Sequence, residues 1–402
     1  LHEKSVTGRT AWSRLFDETM ADIRFNVAGE EFTMSDTLNQ MTDPVGETRE
    51  VAARALSKGL SDQGRVLSLI TNTLAKDKEI EDGWRKFRSP MASRNLANQV
   101  EDEVVEALVA AVRESYGDLS HRYYAMKAKW FGQETLNWWD RNAPLPGADS
   151  QVFSWDQAKG TVLSAYSGFA PQMAQIAERF FDERWIDAPP RPGKNSGAFA
   201  HPTVSSVHPY VLLNFHGKTR DVMTLAHELG HGVHQVLAAP HGTLMSNTPL
   251  TLAETASVFG EMLTFQSLLK GEPDPKRKRI MLAGKVEDML NTVVRQIAFH
   301  EFECQVHAER PKGELSMDNL AEIWIKTQRE SLGDAINFDD AYKPLWGYIP
   351  HFIHSPFYVY AYAFGDSLVN ALWYSYQNTD KKSFSEKYIA MLSAGGTKSH
   401  ND

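Results

Sequence analysis

A single cysteine, Cys304, occurs in the 402 residues of the chain. No intrachain disulfide can form, and a zinc or iron–sulfur site built from several thiolates is excluded. Any transition-metal centre must therefore come from histidine and carboxylate side chains. Cys304 lies in His300-Glu301-Phe302-Glu303-Cys304, a stretch that reads as helix, and is expected to be a buried structural thiol rather than a nucleophile. Such sparse use of cysteine fits a reducing cytoplasm. Long apolar runs are also missing: no window approaches eighteen consecutive apolar residues, and Leu1-His2-Glu3-Lys4 carries no charged-then-apolar signal pattern. The expectation is a chain with no membrane partner. Basic side chains are in the minority, 42 against 51 acidic for a net charge of −9, which argues against a nucleic-acid partner. The one basic run, Lys276-Arg277-Lys278-Arg279, follows Pro273 and Pro275 and reads as a solvated loop or helix start.

What the chain does have is apolar material. A hydrophobic fraction of 42 %, with ten tryptophans, is enough for a large core and excludes a disordered chain. Apolar positions recur at helical spacing over residues 51–74 and again at Val104, Val105, Leu108, Val109 and Val112. Proline-rich breaks fall at Asn142 to Pro146 and at Asp187 to Pro192, where backbone donors are lost and helices must end. The second break is expected to divide a helical lobe, residues 1–186, from a second lobe, residues 187–402. Beyond it, Tyr210-Val211-Leu212-Leu213-Asn214-Phe215 is short and apolar enough for a strand, and from Arg220 the helical pattern dominates. The expected class is mainly α with a small β element.

The chemistry is carried by His227-Glu228-Leu229-Gly230-His231. On a helix, histidines four apart project from one face one turn apart, so both imidazoles reach one zinc ion, and Glu228 between them can take a proton from a metal-activated water. The segment 221–239 has Thr219 as a plausible N-cap and Pro240 as its stop, with Val222, Leu225, Ala226, Leu229, Val233, Val236 and Leu237 on one stripe. That stripe centres opposite His227 and His231, so the pair faces solvent or a cleft rather than the packing core. His234, one turn on, reads as a neighbour rather than a ligand. A third ligand is needed, and the metzincin solution fails because Leu237 stands where that class has a histidine. A carboxylate on the following helix is the alternative: Glu254 and Glu261 are seven apart, hence on one face, in a run of small and apolar residues where an unpaired charge would be costly. Glu254 on zinc, with Glu261 accepting from a ligand histidine, removes that cost. Donors for a developing oxyanion are plentiful between Tyr348 and Tyr362, which includes His351, His354, Tyr358 and Tyr360. If this stretch is helical, Tyr358 and Tyr362 share a face and Tyr360 points elsewhere; spacing alone does not choose among them.

These residues together resemble the oligoendopeptidase F branch of the thimet oligopeptidase metallopeptidases. Ser196-Gly197-Ala198-Phe199, His208-Pro209-Tyr210, Thr224 to His231, Leu252-Ala253-Glu254-Thr255-Ala256-Ser257, and Pro350-His351-Phe352 with Phe357-Tyr358-Val359-Tyr360 occur in the family's order. The resemblance implies zinc ligands His227, His231 and Glu254, one Zn2+ per chain, Glu228 as general base, and Glu261 at the acidic position beyond the third ligand. It further implies His351 and Tyr360 as transition-state donors, with Tyr358 and His354 as substrate contacts. The strand from Tyr210 through Leu212 to Phe215 would be an edge strand pairing with substrate backbone. Phe357 stands where the thimet branch has a tyrosine. The implied fold is mainly α and zincin-like: two helical lobes around a deep channel, with a small sheet beside the zinc helix. Family members are longer, and the resemblance implies helices before Leu1 and a short stretch after Asp402. The expected function is cytoplasmic, zinc-dependent endoproteolysis of short unfolded oligopeptides through a zinc-activated water. The rival expectations are a zinc carboxypeptidase or dipeptidase and an inert peptide-binding protein with the same channel.

Overall fold

In a computed structural model of the chain, residues 2–147, 152–191, 194 and 197–398 are described; Ser196 of the motif above lies outside them. Contacts gather the chain into two units, each discontinuous in sequence. Unit 1 takes residues 1–147 and 286–363, and unit 2 takes 148–285 and 364–402. The division expected at residue 187 thus falls inside unit 2.

Unit 1 is built from amphipathic helices. In Asp102–Glu114, Val105, Val109 and Val112 repeat at helical spacing and are the buried residues. They join a core that includes Leu56, Leu60, Ile70, Tyr124, Ile297, Phe302, Leu320 and Trp324. Its described strands are short: Phe25–Val27 pairs antiparallel with Glu30–Phe32, and Leu136–Asn137 pairs parallel with Ile336–Asn337. Two ion pairs are buried in this unit: Arg49 meets Asp140 at 2.7 Å, and Lys127 meets Glu287 at 2.7 Å.

Unit 2 holds the two helices that matter most. Trp155–Phe169 opens with a Ser154/Gln157 capping box, and Pro171–Asp182 starts on a proline, whose missing N–H costs nothing at that position. Their apolar faces, including Val162, Tyr166, Met173 and Phe180, share one core with Val222, Leu225, Leu229 and Val233 of Thr219–Ala238. That helix begins one residue after Lys218, where the Asp221 carboxylate accepts from the backbone N–H groups of His216 and Lys218. Leu250–Gly271 is buried almost all round, and it passes close enough to its neighbour that a Cβ on Gly230 would stand 2.5 Å from the Ala256 carbonyl oxygen.

The sheet of unit 2 corrects one expectation. Its order places Tyr210–Leu212 in the middle, parallel to Ile186–Asp187 and antiparallel to Phe199–His201. Tyr210 and Leu212 are therefore not on an edge strand, since both sides of that strand are paired. Of the two edge strands, Ile186–Asp187 and Phe199–His201, the second is the outer strand on the Ala200 side, with Ala200 opposite Val211.

Candidate active site

His227 and His231 leave the same face of the Thr219–Ala238 helix, with ring centroids 4.9 Å apart. From the Leu250–Gly271 helix, Glu254 brings Oε2 to 3.5 Å from His227 Nε2 and 3.7 Å from His231 Nε2. Ligands bonded tetrahedrally at zinc distances are about 3.3–3.6 Å apart, so three donor atoms already stand near the separations one ion requires. The Glu254 carboxylate is itself held, because Ser257 Oγ donates to its Oε2 at 3.3 Å. Gly365 lies so close that a Cβ there would be 2.7 Å from Glu254 Cβ.

Glu261, seven residues after Glu254, accepts from His227 Nδ1 at 2.5 Å. An ionised carboxylate only accepts, so a proton is on Nδ1, and Nε2 is the nitrogen that a metal would take in exchange for its proton. Lys285 Nζ stands 3.7 Å from the second Glu261 oxygen. Burial alone would raise the Glu261 pKa, but the hydrogen bond and charge of His227, with Lys285, hold it below the usual value. His227 shows the converse: burial would lower it, and the neighbouring carboxylates, Glu261 foremost, raise it to about 9. Burial takes His231 down to about 4.

Glu228 lies between the two ligand histidines and is only 5 % exposed. Burial, reinforced by Glu254 and Glu261, pushes its carboxyl up to about 7, against the opposing pull of His227. The backbone N–H of Ala200 donates to this carboxylate, while Oε2 has no hydrogen-bond partner. Three carboxylates and Lys285 converge here on two imidazoles, and the His227 Nε2, His231 Nε2 and Glu254 Oε2 atoms form a donor set that fits a divalent cation. The outer strand runs beside this group: Ala200 gives its N–H to Glu228, and its carbonyl accepts from Gln235 Nε2 at 3.2 Å. A cavity of about 360 Å³ opens next to His231, lined among others by Trp185, His208, His234, Gln235 and Thr248. His234 stands apart from the three donors, with its Nε2 at 3.2 Å from Thr248 Oγ1. Tyr210 is exposed and leans on His208, which stacks on Trp185 at 4.2 Å.

The remaining expected residues are in unit 1. His351 Nε2 is 3.1 Å from the Tyr362 hydroxyl, the Tyr358 ring stacks on His351 at 5.5 Å and 12°, and Tyr358 meets Tyr362 edge-on at 4.9 Å. All three side chains are half-buried. Tyr360 is not with them. It is fully buried, and its hydroxyl donates to Asn95 Oδ1 and accepts from Asn98 Nδ2, each at 2.8 Å. The one proton of this phenol is therefore given to Asn95, in contrast to the donor role expected of Tyr360. His354 is also diverted: it is exposed, and its Nε2 is 2.8 Å from Asp17 Oδ1. Phe357 is buried and makes no polar side-chain contact by its nature.

A second group of donors, His300, Glu301 and Cys304, also converges among the described residues. Of these, Glu301 pairs with Arg113 at 3.2 Å, and Cys304 Sγ lies 3.4 Å from His300 Nε2. Burial raises the Cys304 thiol far above its usual value, which keeps it protonated, in line with a structural thiol.

The model of peptidase family M3 matches residues 39–402. The chain belongs to this family. Among curated M3-like relatives, oligopeptidase PepF of Bacillus subtilis is 28 % identical over 356 residues, covering 87 % of this chain and 52 % of its own length. An oligoendopeptidase F homologue of Borreliella burgdorferi is 29 % identical over 354 residues, covering 87 % and 59 %. The chain therefore spans between half and three fifths of these relatives. The fold is shared with PZ peptidase A solved with an inhibitor, at a TM-score of 0.85 and 16 % identity over 98 % of this chain and 70 % of that one. It is shared also with oligoendopeptidase F of Enterococcus faecium, at a TM-score of 0.71 and 24 % identity over 96 % and 64 %. Membership of a metallopeptidase family implies a bound metal, and His227, His231 and Glu254 are the group whose donor chemistry and spacing suit one.

Proposed function

We propose that this M3 chain carries the catalytic centre of a zinc-dependent endopeptidase that hydrolyses short unfolded oligopeptides, with His227, His231 and Glu254 holding the ion. The observation that carries the reading is Glu228: a buried carboxyl between the two histidines, raised to about 7, with one oxygen unpartnered. Zinc when bound supplies a Lewis acid that polarises the scissile carbonyl and lowers the pKa of water from about 15.7 to about 7. Glu228 takes a proton from the attacking water on its free oxygen and passes it to the leaving nitrogen, a task that a carboxyl poised near neutrality performs well. Glu261 keeps His227 in the Nδ1–H tautomer. Ala200 of the outer strand Phe199–His201 ties that strand to Glu228 through its N–H and to Gln235 through its carbonyl. The cavity beside His231 gives space for a substrate side chain. Donors to the oxyanion are assigned to His351 and Tyr358, with Tyr362 on the His351 ring.

A ten-residue internally quenched peptide blocked at both ends tests this reading. Zinc-loaded protein is expected to cut it, and mass spectrometry to find internal cleavage. Cleavage confined to peptides with a free terminus would instead indicate an exopeptidase, and zinc-loaded protein that cuts neither would indicate a binding protein.

A further inference from the structure

Glu303 is a buried acid for which the proposed chemistry has no use. It is 2 % exposed on the Val294–Glu309 helix, and its Oε2 has no partner. Its Oε1 accepts from the backbone N–H of Phe357 at 2.8 Å. The other end of that same peptide unit, the Pro356 carbonyl, accepts from Arg94 Nε at 3.1 Å. One peptide plane is thus gripped at its oxygen and at its nitrogen by two side chains from different helices. Phe357 itself is in the left-handed region, φ 58°, a conformation that a bulky residue adopts only under constraint. Its ring is fully buried, against His307 at 4.9 Å and His300 at 6.0 Å, with Lys78 Nζ at 5.9 Å. Immediately after this kink comes Tyr358, whose N–H bonds the Ser355 carbonyl at 3.0 Å and whose ring stacks on His351. The direction in which Tyr358 leaves the backbone is therefore set by the clamped plane. Asn95, next to Arg94, and Asn98 hold the Tyr360 hydroxyl, two residues after Tyr358.

We infer that Arg94 and Glu303 are positioning residues that hold the Pro356–Phe357 peptide in its left-handed kink and so set Tyr358 against His351. A neutral amide accepts the same N–H, so the geometry and not the charge of Glu303 is what the cluster uses. This inference rests on the peptidase reading only for its effect on rate.

The test uses the full chain loaded with zinc, the blocked quenched peptide, and Glu303→Leu, Glu303→Gln and Arg94→Met. Glu303→Leu is expected to lower kcat about ten- to a hundredfold, the scale of a small misplacement at a reacting centre, with KM and bound zinc unchanged. Glu303→Gln is expected to recover kcat to within about threefold, which a general loss of stability would not predict. Arg94→Met, whose side chain is only half-buried, gives the same kcat loss and serves if Glu303→Leu does not fold. A folded Glu303→Leu or Arg94→Met with wild-type kcat overturns the inference, whereas a zinc-loaded wild type that cuts nothing overturns the peptidase reading instead. In that second case NMR of labelled histidine still decides: the stacked Tyr358 ring shifts the His351 ring protons, and Glu303→Leu must move that resonance while Glu303→Gln leaves it. An unmoved resonance in Glu303→Leu refutes the clamp whatever the activity.

Discussion

Replacing Tyr360 by Phe removes one oxygen atom, and the structure says what that atom does. It joins two buried amides, donating to Asn95 Oδ1 and accepting from Asn98 Nδ2 at 2.8 Å each, inside a fully buried ring environment. Depriving buried polar groups of a partner costs about 1–3 kcal/mol each, so two such losses amount to about 2–4 kcal/mol once some relaxation is allowed. The phenol pKa, raised to about 12 chiefly by burial, is further evidence that this hydroxyl is committed to the interior. Tyr360→Phe is therefore expected to shift the urea midpoint by the equivalent of about 2–4 kcal/mol while the folded, zinc-loaded fraction keeps kcat to within about threefold. Tyr358→Phe is expected to do the reverse: its side chain is half-buried, so stability changes by less than about 1 kcal/mol, while kcat falls by about a hundredfold, the scale set by oxyanion donors. The pair is measured by urea titration followed by tryptophan fluorescence and by peptide turnover on the same preparations. A Tyr360→Phe protein as stable as wild type but catalytically dead would refute the assignment and restore Tyr360 as a substrate-facing donor.

Glu261→Ala should weaken zinc binding about ten- to a hundredfold, because His227 loses the acceptor that fixes its tautomer; competition with a chelator measures this. Gly230→Ala should destabilise by about 1–3 kcal/mol and lower zinc occupancy, since its Cβ would meet the Ala256 carbonyl at 2.5 Å and push the Glu254 helix away; thermal melting and metal content report it. Burial raises the Glu303 carboxyl from 4.5 to about 8, with the Phe357 N–H, Arg94 and Lys78 opposing. Its proton is bound more tightly in the folded state, so its stabilising contribution is full below pH 4.5 and is lost as pH rises through about 8, on the order of a few kcal/mol in all. The neighbouring His300 and His307, lowered to about 4 by burial, titrate in both proteins, so the difference between wild type and Glu303→Gln isolates Glu303. Urea midpoints at pH 5 and pH 8 should converge in the variant; an equal fall in both proteins would contradict the assignment.

The metal group was legible because it depends on one helix period. His227, His231 and the intervening Glu228 are fixed by spacing on a single element, and Glu254 with Glu261 by spacing on the next, so local geometry carried most of the site. What was not legible depends on partners. Periodicity shows that residues 155–182 have apolar faces but not what covers them, and they pack with the 219–238 helix. The Tyr210–Leu212 strand stood out as an apolar run, whereas the outer strand Phe199–His201 is three residues long and has no alternation to detect; order within a sheet is a long-range property. Tyr360 matched a motif, yet its direction is decided by Asn95 and Asn98, more than 260 residues earlier. Lys285 beside Glu261 had no signal beyond being one charge among many.

The account stands most directly on zinc content and peptide cleavage measured together for wild type and Glu228→Gln. The expected result is one zinc per chain in both proteins, with internal cleavage of the blocked peptide by wild type alone. Undiminished cleavage by Glu228→Gln, or wild-type protein that binds no zinc at His227, His231 and Glu254, would contradict it.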